Sequence, residues 1–90
     1  MEKEFHVITF ESTHYAIMIE KKLKGKYNVQ TIPTPREITA SCGLSIMFQN
    51  QELDEIIQEL INLEVDKNMF DIYKIVKTDK GKKAEQINWR

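Results

Sequence analysis

The chain has 90 residues, 41% of them hydrophobic and 30% charged, with a formal net charge of −1. This describes one small globular domain and argues against electrostatic binding of nucleic acid or an anionic membrane. A single cysteine excludes an internal disulfide and a CxxC zinc or dithiol site within one chain, and fits a reducing, cytoplasmic setting. No apolar run is long enough to span a bilayer or to form a signal core.

In chain order, Phe5 to Phe10 is β-branched and aromatic and reads as a first strand. Ser12 is a good N-cap for a helix starting near Thr13, with Tyr15, Ala16, Ile19 and Leu23 on one face and Met18 beside them. Lys21, Lys22 and Lys24 suit its C-terminal end, and Gly25 closes it. Tyr27 to Ile32 reads as a second strand, stopped by Pro33, which has no N–H for a ladder. Residues 33–43 hold both prolines and the only cysteine. Thr34 and Glu37 match a capping box around Pro35, so one helical turn over about residues 35–40 is expected.

Leu44 to Phe48 alternates and makes a third strand. Asn50 is a candidate cap for a second helix over Glu52 to Leu63. There Leu53, Ile56, Ile57, Leu60 and Ile61 recur at helical spacing behind an acidic first turn. Asp66-Lys67-Asn68 breaks the pattern, and Phe70 to Val76 reads as a fourth strand. The order implies an α+β, ferredoxin-like two-layer sandwich: βαββαβ, a four-stranded antiparallel sheet with two helices on one face. Residues 1–77 form the domain, and 78–90 are expected to be a mobile, basic tail or at most an edge strand ending near Trp89. Val7, Leu44, Ile46, Phe48 and Ile72 are assigned to the helix side. Ile8, Phe10, Ile32, Met47, Tyr73 and Ile75 then make the open face apolar, which predicts a homo-oligomer through that face or partial cover by the tail.

The layout brings Ser12, Thr13 and His14 to the sheet edge that carries the Cys42 loop, with Asp66 to Asn68 nearby. A thiol reacts as its thiolate. Arg36, the free N–H groups of the first helix, His14 as base or positive neighbour, and the amides around Ser41, Cys42 and Gly43 would all favour that anion. Plainer readings stay open. A lone cysteine is commonly a small buried apolar side chain. On these readings Arg36 is a solvated loop charge or a partner to Glu37, and His6 and His14 are ordinary strand and helix residues. No Gly-rich phosphate loop or metal cluster is legible, and no cofactor is expected.

The segments Ile8-Thr9-Phe10-Glu11-Ser12-Thr13-His14 and Pro33-Thr34-Pro35-Arg36-Glu37-Ile38-Thr39-Ala40-Ser41-Cys42-Gly43-Leu44 resemble a small bacterial family of selenium/sulfur carrier-like proteins. The resemblance covers most of residues 5–76, and its second segment is the more specific. It implies a carrier, not a turnover enzyme, that holds sulfur or selenium on Cys42 as a persulfide or its selenium counterpart. Arg36, Ser41 and Gly43 match the loop, and Ser12, Thr13 and His14 the neighbouring helix start. A cysteine desulfurase-like donor and an acceptor protein would be its partners. The Cys-Pro-x-Pro motif of the better-known sulfur-relay carriers is absent. The alternative is an interaction or oligomerisation module with an incidental cysteine.

Overall fold

The computed structural model describes residues 3–38, 43–49, 52–66 and 68–87. Seven elements follow one another: β1 (Lys3–Phe10), α1 (Thr13–Lys24), β2 (Gln30–Pro33), β3 (Leu44–Phe48), α2 (Leu53–Asn62), β4 (Phe70–Thr78) and β5 (Gly81–Gln86). All pairings are antiparallel, in the order β2-β3-β1-β4-β5. The sheet therefore has five strands and not four. The segment expected to be a tail pairs along β4, with Ile75 opposite Ala84 and Thr78 opposite Gly81. Its basic composition suits an edge, where charged side chains discourage further pairing.

Local chemistry accounts for the element ends. Ser12 is extended at φ −143° and its Oγ accepts from the Tyr15 N–H at 3.3 Å, so the expected cap is in place. β2 starts at Gln30, not at Tyr27, and ends at Pro33, which is its last paired residue, opposite Leu44. β2 is an edge strand, where a missing N–H is tolerated. The second helix has Glu52 at its N-cap with no side-chain cap bond, and Asn50 lies outside the described residues. The Glu52 carboxylate instead accepts from the Asn28 N–H at 3.1 Å, and Glu59 pairs with Lys26 at 2.9 Å. These acids fasten the α1–β2 connection to α2. Beyond α2, Glu64 takes φ 56°, its N–H bonds the Ile61 carbonyl, and the Val65 N–H reaches the Leu60 carbonyl. This is a Schellman closure with glutamate where glycine is usual.

The main core lies between the helices and one sheet face. It joins Ile8, Phe10, Ile46, Phe48, Phe70 and Ile72 to Ala16, Ile19 and Leu23 of α1 and Ile56 and Leu60 of α2. Both helices thus cover the same face. Val7 is on the other side, clustered with Ile75 and Ile38 and flanked by Phe5, Ile32, Met47, Tyr73 and Ala84. The side assignments of Val7, Ile8 and Phe10 drawn from the sequence are therefore reversed. Ile8 lies opposite both Ile46 and Ile72, and directly opposed residues share a face. As a central strand, β1 is apolar on both sides, so its alternation gave no cue to which side faces the helices. Ile38 and Ala84 pack on the second face from within the chain itself. Among the described residues no helix is long and apolar enough to cross a membrane.

Candidate functional site

The chain between β2 and β3 leaves and re-enters the sheet through a narrow neck. The Thr34 N–H donates to the Gly43 carbonyl at 2.9 Å. One step further in, the hydroxyls of Thr34 and Ser45 lie 2.7 Å apart. Thr34 thus uses its hydroxyl on Ser45. The expected helical turn is, over the described residues, a single reverse turn in which the Ile38 N–H donates to the Pro35 carbonyl at 3.1 Å. Arg36 and Glu37 sit at its exposed tip.

Ile38 then points back into the protein. It is only 7% exposed and packs with Val7 and Ile75 on the face away from the helices. The first half of the loop, residues 34–38, is thus anchored on that face by an isoleucine. Under the loop runs a more polar row: Ile32, Ser45, Thr9 and Asp71 lie opposite one another across four strands. Ser45 has no exposed surface and Thr9 is buried, with its hydroxyl donating to the Asp71 carbonyl at 3.5 Å. Tyr73, one row on, has its phenol pKa raised, first by burial and then by the charge of Asp71.

The same end of the sheet carries the start of α1 and the approach to β4. Thr9 lies opposite Ser45, Phe10 opposite Phe70, and the Glu11 N–H donates to the Met69 carbonyl at 2.9 Å. The Asp66–Asn68 turn, in which the Asp66 carboxylate accepts from the Asn68 N–H at 2.9 Å, precedes that contact. Residues 12–14 and the loop's described ends, Thr34 and Gly43, are therefore brought to one end of the sheet. They leave it on different faces, α1 on the helix side and Ile38 on the other.

Cys42 and Ser41 lie outside the described residues, directly before Gly43, which is exposed at the mouth of the neck. Ser12 is committed to capping α1, and Thr13 is exposed in its first turn. His14 is exposed and lines a groove along α1 with Ile17, Met18, Lys21 and Lys22. The first turn of α1 contains no acid, so its positive dipole end is not offset from within the helix. His6, a plain strand residue by sequence, is buried and stacks on Phe48 with ring centroids 5.4 Å apart. Among the described residues no three His, Cys, Asp or Glu side chains converge as a metal site.

Ile38 and Ser45 carry no role in the sequence reading, and Thr34 only that of a capping box with Glu37, although all three shape this region. The available signal was Ile38 itself, the one large aliphatic residue between Pro33 and Leu44. In a solvated loop that residue has no reason to be apolar.

The family described as Putative Se/S carrier protein-like matches residues 5–77, and the chain belongs to it. No curated protein and no solved structure matches the chain.

Proposed function

We propose that the protein carries sulfur or selenium on Cys42, as a persulfide or its selenium counterpart. It would receive the atom from a cysteine desulfurase-like donor and pass it to an acceptor protein. The observation that carries this reading is the loop's construction within a chain of this family. A buried Ile38 and a hydrogen-bonded neck from Thr34 to Gly43 and Ser45 fix the described residues on either side of the stretch that includes Cys42. Loading is an exchange at sulfur: the Cys42 thiolate attacks the outer sulfur of the donor's persulfide, a new S–S bond forms on Cys42, and the donor's own S–S bond breaks to release its thiolate. Delivery repeats the step, with an acceptor thiolate attacking and Cys42 leaving as thiolate. No net oxidation occurs, and both steps depend on thiolate character.

In this reading Arg36, the amides of Ser41 and Gly43, and the positive end of α1 at Ser12, Thr13 and His14 stabilise the anion. His14 serves as a charge partner or base. The reducing cytoplasm is the compartment in which such a lone thiol stays available. The fold is read as the split βαβ plan over residues 1–77, with β2-β3-β1-β4 as its sheet and β5 added from the 78–90 segment. The strand order and the shared helix face support this.

A second reading is favoured by Ile38. A loop whose isoleucine completes an apolar cluster has a structural purpose without any thiol chemistry, so the protein would be an interaction module and Cys42 incidental. Two measurements separate the readings. Carriage predicts that Cys42 alkylates with a midpoint well below the ordinary value of about 8.5, and that Cys42→Ser folds normally but takes no labelled sulfur from a persulfide donor. Slow alkylation with an unshifted midpoint, or label retained by Cys42→Ser, hands the case to the interaction module.

A further inference from the structure

Among the described residues the large apolar side chains left exposed are one on each helix, Ile17 at 45% on α1 and Ile61 at 47% on α2. Each lies at one end of a strip on the side of its helix turned away from the core residues Ala16, Ile19, Leu23, Ile56 and Leu60. On α1 the strip runs Ile17, Lys21, Lys24, at positions i, i+4 and i+7. On α2 it runs Asp54, Gln58, Ile61 with the same spacing and the reverse order, charge first and isoleucine last. The groove beside Ile17 encloses about 370 Å³ and is basic, lined by His14, Lys21 and Lys22 as well as Met18. The α2 strip has no base.

The two helices run in opposite directions. α1 returns from the end of β1 to β2, which is parallel to β1, while α2 returns from β3 to β4, both antiparallel to β1. A second copy turned over about a two-fold axis parallel to the helices would therefore lay its α2 antiparallel on α1. We propose that the helix layer is the interface of a homodimer built this way. Ile17 meets Ile61 of the second copy, Lys21 meets Gln58 and Lys24 meets Asp54, and the two-fold repeats each contact. Lys24 is available for this: its present pair with Glu20, at 3.5 Å, leaves its side chain 70% exposed and is of the kind worth little. The surface fits itself better than it fits a stranger. An acidic partner would match α1 and be repelled by Asp54 and Glu55 on α2, whereas a two-fold copy matches both halves.

Charge reversal tests this in the full chain. Light scattering or sedimentation over a concentration series should show the mass rising from 10.6 kDa toward twice that value. Lys24→Glu and Asp54→Lys, each alone, should weaken association by on the order of tenfold, since each turns both symmetric pairs repulsive. Mixed together they should associate again, because the mixed dimer has opposite charges at both contacts. Ile17→Glu should abolish the dimer while leaving the circular dichroism spectrum unchanged. A wild-type chain that stays monomeric overturns the proposal. So does a dimer indifferent to Ile17→Glu, which would place the interface elsewhere, or a mixture that fails to restore association.

Discussion

Replacing Ile38 by alanine probes the link between the loop and the fold. The side chain is 7% exposed and packs with Val7 and Ile75 across the second sheet face. The substitution removes three aliphatic carbons, which at about 0.8 kcal/mol per buried group amounts to about 2.4 kcal/mol. The cavity term is small here, because a loop at the surface can settle into the space. In a domain of this size each kcal/mol shifts Tm by about 4–8 °C, so a fall of about 10–19 °C is expected. The assay is thermal unfolding by circular dichroism, paired with limited trypsin cleavage at Arg36, which lies two residues before Ile38 in the same turn. Tm should fall and cleavage should accelerate together. Faster cleavage at an unchanged Tm would show the loop opening as a separate unit, and would refute the claim that Ile38 belongs to the cooperative core.

Three further outcomes are expected. Thr34→Val leaves the fully buried Ser45 hydroxyl without its 2.7 Å partner and should destabilise by about 1–3 kcal/mol; adding Ser45→Ala should recover part of that loss, read from urea midpoints in a double-mutant cycle. Glu64→Gly should stabilise by about 0.5–1 kcal/mol, because φ 56° is a left-handed conformation that glycine adopts without steric strain. Lys26 has its pKa raised above the ordinary 10.5 by its hydrogen bond to Glu59 and by that charge. Its contribution is therefore present below 10.5 and lost as pH rises through the higher folded value. The urea-midpoint difference between wild type and Lys26→Met should persist at neutral pH, shrink in high salt and vanish in strong alkali.

Both helices, the Ser12 cap and β3 were legible because each rests on local chemistry: a 3.6-residue apolar stripe, a hydroxyl at an N-cap, a period of two. The resemblance carried by residues 8–14 and 33–44 was legible too, since it is a property of the letters, and the family match over residues 5–77 agrees with it. Three things were decided only in three dimensions. The parity of β1 was set by pairing Ile8 with Ile46 and Ile72, because a strand apolar on both sides carries no internal cue. The fifth strand, Gly81–Gln86, was set by the open edge of β4, which accepts a polar segment that has no strand pattern of its own. The course of residues 34–38 was set by Ile38 and by the Thr34–Ser45 contact. These are long-range burials that join a turn to a sheet face, and no local window of sequence reports what lies beneath a loop.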